Sequence, residues 1–233
     1  MLGVFSFYRY DFEIALAIFP EFDFSWHFQV EAAVLGYDDF FAPFPVFPTA
    51  RMTLRAMRPR DLGDVYALCS HPKVAEYVLW DAHQTKQDTR RYLNWVIDGY
   101  RQKKPPIWAM ELNQTHRVIG TCTFVEFDPA YKVAEMGYIV SYDCWGQGYA
   151  TEAAAALVTY GFSRMRLQRI ESRCMAENKR SARVMQKLGM RFEGILRKGV
   201  FSKGVPHDLY LYAMTDDDYR RIMDTVRRVD LEG

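Results

Sequence analysis

The chain has 233 residues, 49% of them hydrophobic and 25% charged, with a formal net charge of +1, the profile of a globular protein able to bury one good-sized core. Near-neutral charge without a cluster of Lys and Arg gives no electrostatic footprint for nucleic acid or an anionic membrane, so neither is expected as a partner. Cys69, Cys122, Cys144 and Cys174 are widely spaced and form no C-x-x-C pair, which argues against a zinc site or a disulfide framework and, with no secretory pattern, for a reducing cytoplasm.

The first 43 residues stand apart from the rest. Residues 1–50 carry fifteen aromatics and seven acids against one base, Arg9. Tyr8, Tyr10, Phe12 and Ile14 alternate with charged residues, and Phe22, Phe24, Trp26, Phe28 and Val30 alternate with Asp23, Ser25, His27 and Gln29. A period of two marks half-buried strands. The expectation is an extension over residues 1–43, forming a strand pair packed on the main domain, a dimer contact or a flap over a cleft, with the main domain at 44–233.

From Arg51 onward the pattern reads β-α-α-β-β-β-α-β-α-β-β. Asp61 is placed to cap a first helix running through Ser70, and Thr85 with Asp88 makes a capping-box start for a helix reaching Tyr100, ended by Lys104-Pro105-Pro106. Strands are expected at 107–112, 118–127 and 134–140, a helix at 149–162, a strand at 169–175 and a helix at 179–188 capped by Gly189. A hairpin of 192–198 and 209–213 follows, then a helix from Asp216 to about Val226 capped by Thr215.

Between the strand at 134–140 and the helix at 149–162 lies Trp145-Gly146-Gln147-Gly148-Tyr149-Ala150-Thr151. A small-residue loop at a helix start offers unpaired N–H groups and a favourable dipole to an anion, and its glycines let the main chain approach closely, so it predicts a ligand with a phosphate or diphosphate. A P-loop needs Gly-Lys-Ser/Thr at a spacing this run lacks, and a dinucleotide fingerprint needs a third small residue where Thr151 stands. The loop instead resembles the Q/R-x-x-G-x-G/A segment with which the GNAT superfamily of acyl-CoA N-acyltransferases holds the coenzyme diphosphate. Gly148 and Ala150 fill the last two fixed positions, and Trp145 stands where Gln or Arg is usual.

Three further blocks, in order, carry the same resemblance. Asn178, Ser181 and Lys187-Leu188-Gly189-Met190 are similar to the N-x-x-S/A and K-L-G-F block of the superfamily. Phe47 to Arg55 resembles the T-x-R-L-x-L-R opening of its ribosomal-protein N-acetyltransferase (RimJ/RimL-type) branch, and Gly204 to Tyr212, with Asp208, resembles that branch's closing hairpin.

The resemblance implies an α/β (α+β) fold with a splayed, mostly antiparallel mixed sheet flanked by helices. It implies that acetyl-CoA, as acyl donor, enters between the fourth and fifth strands of this series (134–140 and 169–175). Its pantetheine would pair with the backbone of Tyr138, Ile139 and Val140, and its diphosphate would lie on Gln147, Gly148, Tyr149 and Ala150 within a coenzyme-contacting run that also takes in Trp145, Gly146 and Thr151, with Asn178 on the pantetheine amide.

Acyl transfer to an amine needs a neutral nucleophile and a proton for the departing thiolate. Neutralising an α-ammonium of pKa near 8 costs about 1 kcal/mol at pH 7, against about 4.6 kcal/mol for a lysine. Glu135 is the candidate base, acting through a water; an exposed strand carboxylate paired with a neighbouring cation is the competing account. Many superfamily members protonate the thiolate with a Tyr seven residues after the Asn, where this chain has Met185. Ser181 is the alternative acid that the branch implies, with a helix cap as its competing role. Cys174 reads as a small buried hydrophobe, and the five histidines show no ligand spacing, so no metal is assigned. Tyr77, Trp80 and His83 are weaker candidates for the acceptor pocket.

The expected activity is acetyl-CoA-dependent N-acetylation of a primary amine, foremost the α-amino group of a protein or peptide. A small-amine acceptor and a silent acyl-CoA-binding module are the alternatives, and a homodimer is a possible assembly.

Overall fold

A computed structural model describes residues 37–232 of the chain. The alternating stretches at 8–14 and 22–30, and the strand pair expected from them, lie outside the described residues. In chain order the elements are α1 (Tyr37–Phe41), β1 (Phe47–Pro48), β2 (Met52–Ala56), α2 (Leu62–Cys69), α3 (Pro72–Ala75), α4 (Lys86–Arg101), β3 (Ile107–Leu112), β4 (Val118–Asp128) and β5 (Val133–Val140). Then come α5 (Tyr149–Ser163), β6 (Arg169–Met175), α6 (Lys179–Lys187), β7 (Arg191–Ser202), β8 (Val205–Thr215) and α7 (Asp216–Glu232).

The strands form one eight-stranded sheet in the order β1-β2-β3-β4-β5-β6-β8-β7. Every neighbouring pair is antiparallel except β5 with β6, which run parallel. This is the mixed, mostly antiparallel sheet flanked by helices that the sequence implied.

Side-chain alternation sorts the helices onto two faces. On β5 the even-numbered Ala134, Met136 and Val140 enter a large cluster with Leu157 of α5 and Met185 of α6. Odd-numbered Ile139 joins the opposite cluster, with Val65 and Leu68 of α2 and Leu93 and Val96 of α4. The sheet is thus covered by α2 and α4 on one side and by α5 and α6 on the other.

Local signals explain most boundaries. Thr85 and Asp88 close a reciprocal capping box at α4, and Thr215 and Asp218 do the same for α7 through Asp218 N–H to Thr215 Oγ1 (3.2 Å) and Thr215 N–H to Asp218 Oδ2 (3.3 Å). Asp61 stands before α2 as expected, but its carboxylate does not cap that helix. It accepts from the Arg58 N–H (2.8 Å) and from both terminal nitrogens of Arg55 (2.8 Å each). The final hairpin is longer than expected because Lys203 and Gly204, at φ 51° and 84°, make a two-residue turn whose twist matches long flanking strands.

The core reaches back before residue 44. Phe40 and Phe41 of α1 are buried in the large cluster, where Phe41 meets Trp108, Phe127 and Tyr160 edge-on or tilted at ring distances of 6.1–6.4 Å. Trp108 donates its indole N–H to the Pro45 carbonyl (2.8 Å), which ties this segment to β3. Among the described residues no helix is long and apolar enough to cross a membrane.

Arg55, only 4% exposed, bonds Asp61 and also donates to Glu111 through Nε (2.7 Å) and Nη2. Removing one partner of such a buried network leaves the others' charge uncompensated. Arg55→Ala is therefore expected to lower the unfolding free energy by about 3–5 kcal/mol in urea titration, and a loss under about 1 kcal/mol would show that the network behaves as a surface pair.

Candidate active site

β5 and β6 pair only at Val133 with Arg169, Ala134 with Ile170 and Glu135 with Glu171. Beyond Glu135 the two strands part. On the other side β5 stays on β4, with Ile139 opposite Thr121, Tyr138 opposite Cys122 and Val140 opposite Gly120. The ladder continues as Ser141 N–H to Ile119 C=O (2.7 Å). Antiparallel partners exchange bonds at alternate positions, so Ile139, two before Ser141, also turns its N–H and C=O toward β4. Tyr138 and Val140 turn theirs toward the gap. Of the three expected backbone contacts, Ile139 is therefore corrected: its polar groups belong to the β4 ladder, and its half-buried side chain packs on the α2–α4 face.

Val140 is itself partly engaged, because Trp145 donates its indole N–H to the Val140 carbonyl (2.7 Å). Tyr138 N–H and C=O and Val140 N–H are left facing the gap.

The loop after β5 has the shape its glycines suggest. Gly146 (φ 77°) and Gly148 (φ 84°) adopt the left-handed conformation, and Gly148 is the N-cap of α5. The first helical bond is Glu152 N–H to Gly148 C=O (3.0 Å), so the N–H groups of Tyr149, Ala150 and Thr151 precede the ladder at the positive end of the dipole. Gln147 donates to the Asp143 carbonyl (3.0 Å), which braces the loop. Arg51, part of the opening block of the resemblance but not among the expected site residues, lies over the Tyr149 ring (4.3 Å) and bonds Gln147 C=O (2.9 Å) and Glu152 (2.6 Å). Thr49 also bonds Glu152 (2.7 Å), so the acid in the first turn of α5 is neutralised by Arg51 and held by Thr49, both in the turn between β1 and β2.

Glu135 and Ser181 occupy opposite faces of the sheet at the point where the strands part. Glu135, on the odd-numbered face, lies 3.4 Å from Arg173, which also holds Glu171 (3.1 Å). Burial pushes the Glu135 carboxyl up to about 6, opposed by Arg173 and reinforced by Glu171 and Glu126. No sequence signal marked Arg173, and its buried Nε has no partner among the described residues.

Ser181, on the α6 side, shares a 3.0 Å hydrogen bond with the Tyr138 hydroxyl, which lies equally close to the Ser181 carbonyl. The hydroxyl of Tyr138 thus reaches across the gap, and burial raises its pKa far enough to keep it protonated. Asn178, not Ser181, caps α6: its side-chain oxygen accepts from Ser181 N–H (3.1 Å). The cap role weighed for Ser181 falls to Asn178, whose amide N–H donors remain to offer a ligand.

The remaining candidates separate. Cys174 is buried beside α6 with its thiol pushed up to about 11 by burial, a neutral packing group. Met185 is fully buried in the core. His83 bonds Thr89 (2.9 Å) and packs against Trp80 (5.5 Å between rings), and Trp80 rests on the α2–α4 cluster. Both are therefore anchored by packing, whereas Tyr77 lies beside Glu76 and within electrostatic reach of Glu177. No group of three or more metal-ligating side chains occurs among the described residues.

The acetyltransferase (GNAT) domain family matches residues 51–191, and the chain belongs to that family of N-acetyltransferases. An uncharacterized N-acetyltransferase, YoaA of Bacillus subtilis (strain 168), is 29% identical over 171 residues, covering 73% of this chain and 97% of its own length. The ribosomal-protein-serine acetyltransferase of Escherichia coli (strain K12) is 26% identical over 134 residues, 58% of this chain and 74% of its own. The structure of RimL, a ribosomal L7/L12 α-N-protein acetyltransferase in complex with coenzyme A, shares the fold with a TM-score of 0.65 at 20% identity, over 73% of this chain and 98% of that one.

Gly148→Ala tests the loop. A left-handed L-residue costs roughly 1–2 kcal/mol, and the added carbon would sit 3.4 Å from Arg51. Thermal unfolding should show that loss, and calorimetry should show weakened acetyl-CoA binding; unaltered affinity would remove the loop from the ligand site.

Proposed function

We propose that this protein transfers an acetyl group from acetyl-CoA to a primary amine, foremost the α-amino group of a peptide or protein. The observation that carries the reading is the placement of a carboxylate and a hydroxyl on opposite faces of the sheet where β5 and β6 separate. An amine approaching from the α2–α4 side meets Glu135, and a thiolate leaving on the α6 side meets Ser181.

The donor would extend the sheet. Its pantetheine amides would pair with Tyr138 N–H and C=O and Val140 N–H, and its diphosphate would rest on the N–H groups of residues 148–151. Holding both reactants at this gap supplies most of the rate through orientation.

Glu135 suits the role of base, acting through a water. Taking a proton from an α-ammonium of pKa near 8 is uphill by about 3 kcal/mol for a group of pKa near 6, and by about 5 kcal/mol for one at 4.5. The buried site thus makes the transfer easier by about 2 kcal/mol. Ser181 donates a hydrogen bond to the thiolate, with Tyr138 behind it.

The same arithmetic favours an α-amine over a lysine as acceptor, since a lysine demands about 3 kcal/mol more before reaction. The named activities of the ribosomal-protein-serine acetyltransferase and of RimL support a peptide acceptor.

Release of free coenzyme A should be measured with acetyl-CoA and two panels, peptides varied at their first residue and small amines. Turnover selective for peptides is expected; turnover on small amines alone would move the acceptor to that class, and binding without turnover on either would make the protein a silent acyl-CoA binder. Glu135→Gln should lower kcat about a hundredfold. In the wild type kcat/KM should rise with pH as Glu135 loses its proton near 6. Ser181→Ala should lower kcat with acetyl-CoA affinity intact; full turnover in that variant would end its role as acid.

A further inference from the structure

Arg180 is the second residue of α6, and its guanidinium carbon lies 4.6 Å from the centre of the Trp145 ring. Glu76 lies within electrostatic reach of it but already bonds Lys73 (3.3 Å). A cation is poorly placed there on local grounds, because a helix N-terminus carries partial positive charge and α6 has no acid in its first turn. Lys179 immediately before it adds to the same charge.

The contact joins the two sides of the gap, since Trp145 follows β5 and Arg180 follows β6. Trp145 is held firmly. Its indole bonds Val140 C=O (2.7 Å), its ring meets Tyr142 edge-on (5.0 Å), and Tyr142 stacks on His71 (4.5 Å, 13°). Gly146 of the anion-ready loop is the next residue. A guanidinium lying on an aromatic face keeps its edge donors free for an anion with several oxygens. Arg51, also at the loop, is committed to Glu152 and Gln147, and Arg117 to Asp143.

We propose that Arg180, carried on Trp145, is the cationic contact for the diphosphate of the acyl donor. It would supply the loop with a cation whose edge donors are not already taken by a carboxylate. This rests on the acetyl-CoA reading above.

Three donors separate the possibilities: acetyl-CoA, its 3′-dephospho form, and S-acetylpantetheine, which has no phosphate. Arg180→Ala should raise the Kd for the first two about tenfold and flatten their salt dependence. It should leave kcat/KM with S-acetylpantetheine within about twofold, and Arg180→Lys should recover part of the loss. Unchanged acetyl-CoA affinity, or equal losses with all three donors, would overturn the assignment. A loss confined to the donor bearing the 3′-phosphate would overturn it by moving the contact to that group. Wild-type protein that fails to bind acetyl-CoA would remove the underlying reading, an outcome seen without making a variant.

Discussion

β5 keeps its parallel neighbour for three residue pairs and then loses it. Backbone N–H and C=O groups seek partners wherever water is restricted, so a strand paired on one edge and abandoned on the other is a constraint the rest of the site answers. The β4 ladder satisfies Ile139 and Ser141, and the Trp145 indole satisfies the Val140 carbonyl. Tyr138 and the Val140 N–H remain turned to the gap, so an extended, amide-bearing ligand can complete the sheet where β6 does not.

The alternation of side chains along the same strand sets the chemistry. Odd positions look toward α2 and α4 and even positions toward α5 and α6, so Glu135 and Tyr138, three residues apart, serve opposite faces. Burial acts on both in the same sense, favouring the neutral form of each. For the carboxyl this moves its titration toward the working range of a base, and for the phenol it secures a donor or acceptor that stays uncharged beside Ser181.

Features governed by near neighbours along the chain were legible in the amino-acid sequence. The capping box at Thr85, the cap at Thr215, the glycine loop before α5 and the strand that precedes it all follow from residues within a few positions of one another. Contacts made by tertiary closure were not. Tyr138 and Ser181 are 43 residues apart in the chain, Arg51 and Glu152 are 101 apart, and Arg180 meets Trp145 only because β5 and β6 run side by side. Asp61 had the residue type and position of a helix cap, but the buried Arg55 guanidinium outcompeted the helix N–H groups for its carboxylate. The aromatic run around Phe40 and Phe41 gave no periodic signal of its own, and its place in the core depends on Trp108 and Tyr160 far along the chain.

The most direct test of the account is amide hydrogen exchange at Tyr138, Ile139 and Val140 with and without acetyl-CoA. If the donor completes the sheet at the gap, exchange at Tyr138 and Val140 slows about tenfold or more on binding, while Ile139, already in the β4 ladder, changes little. Binding that leaves Tyr138 and Val140 as fast as before would place the donor elsewhere and contradict the account.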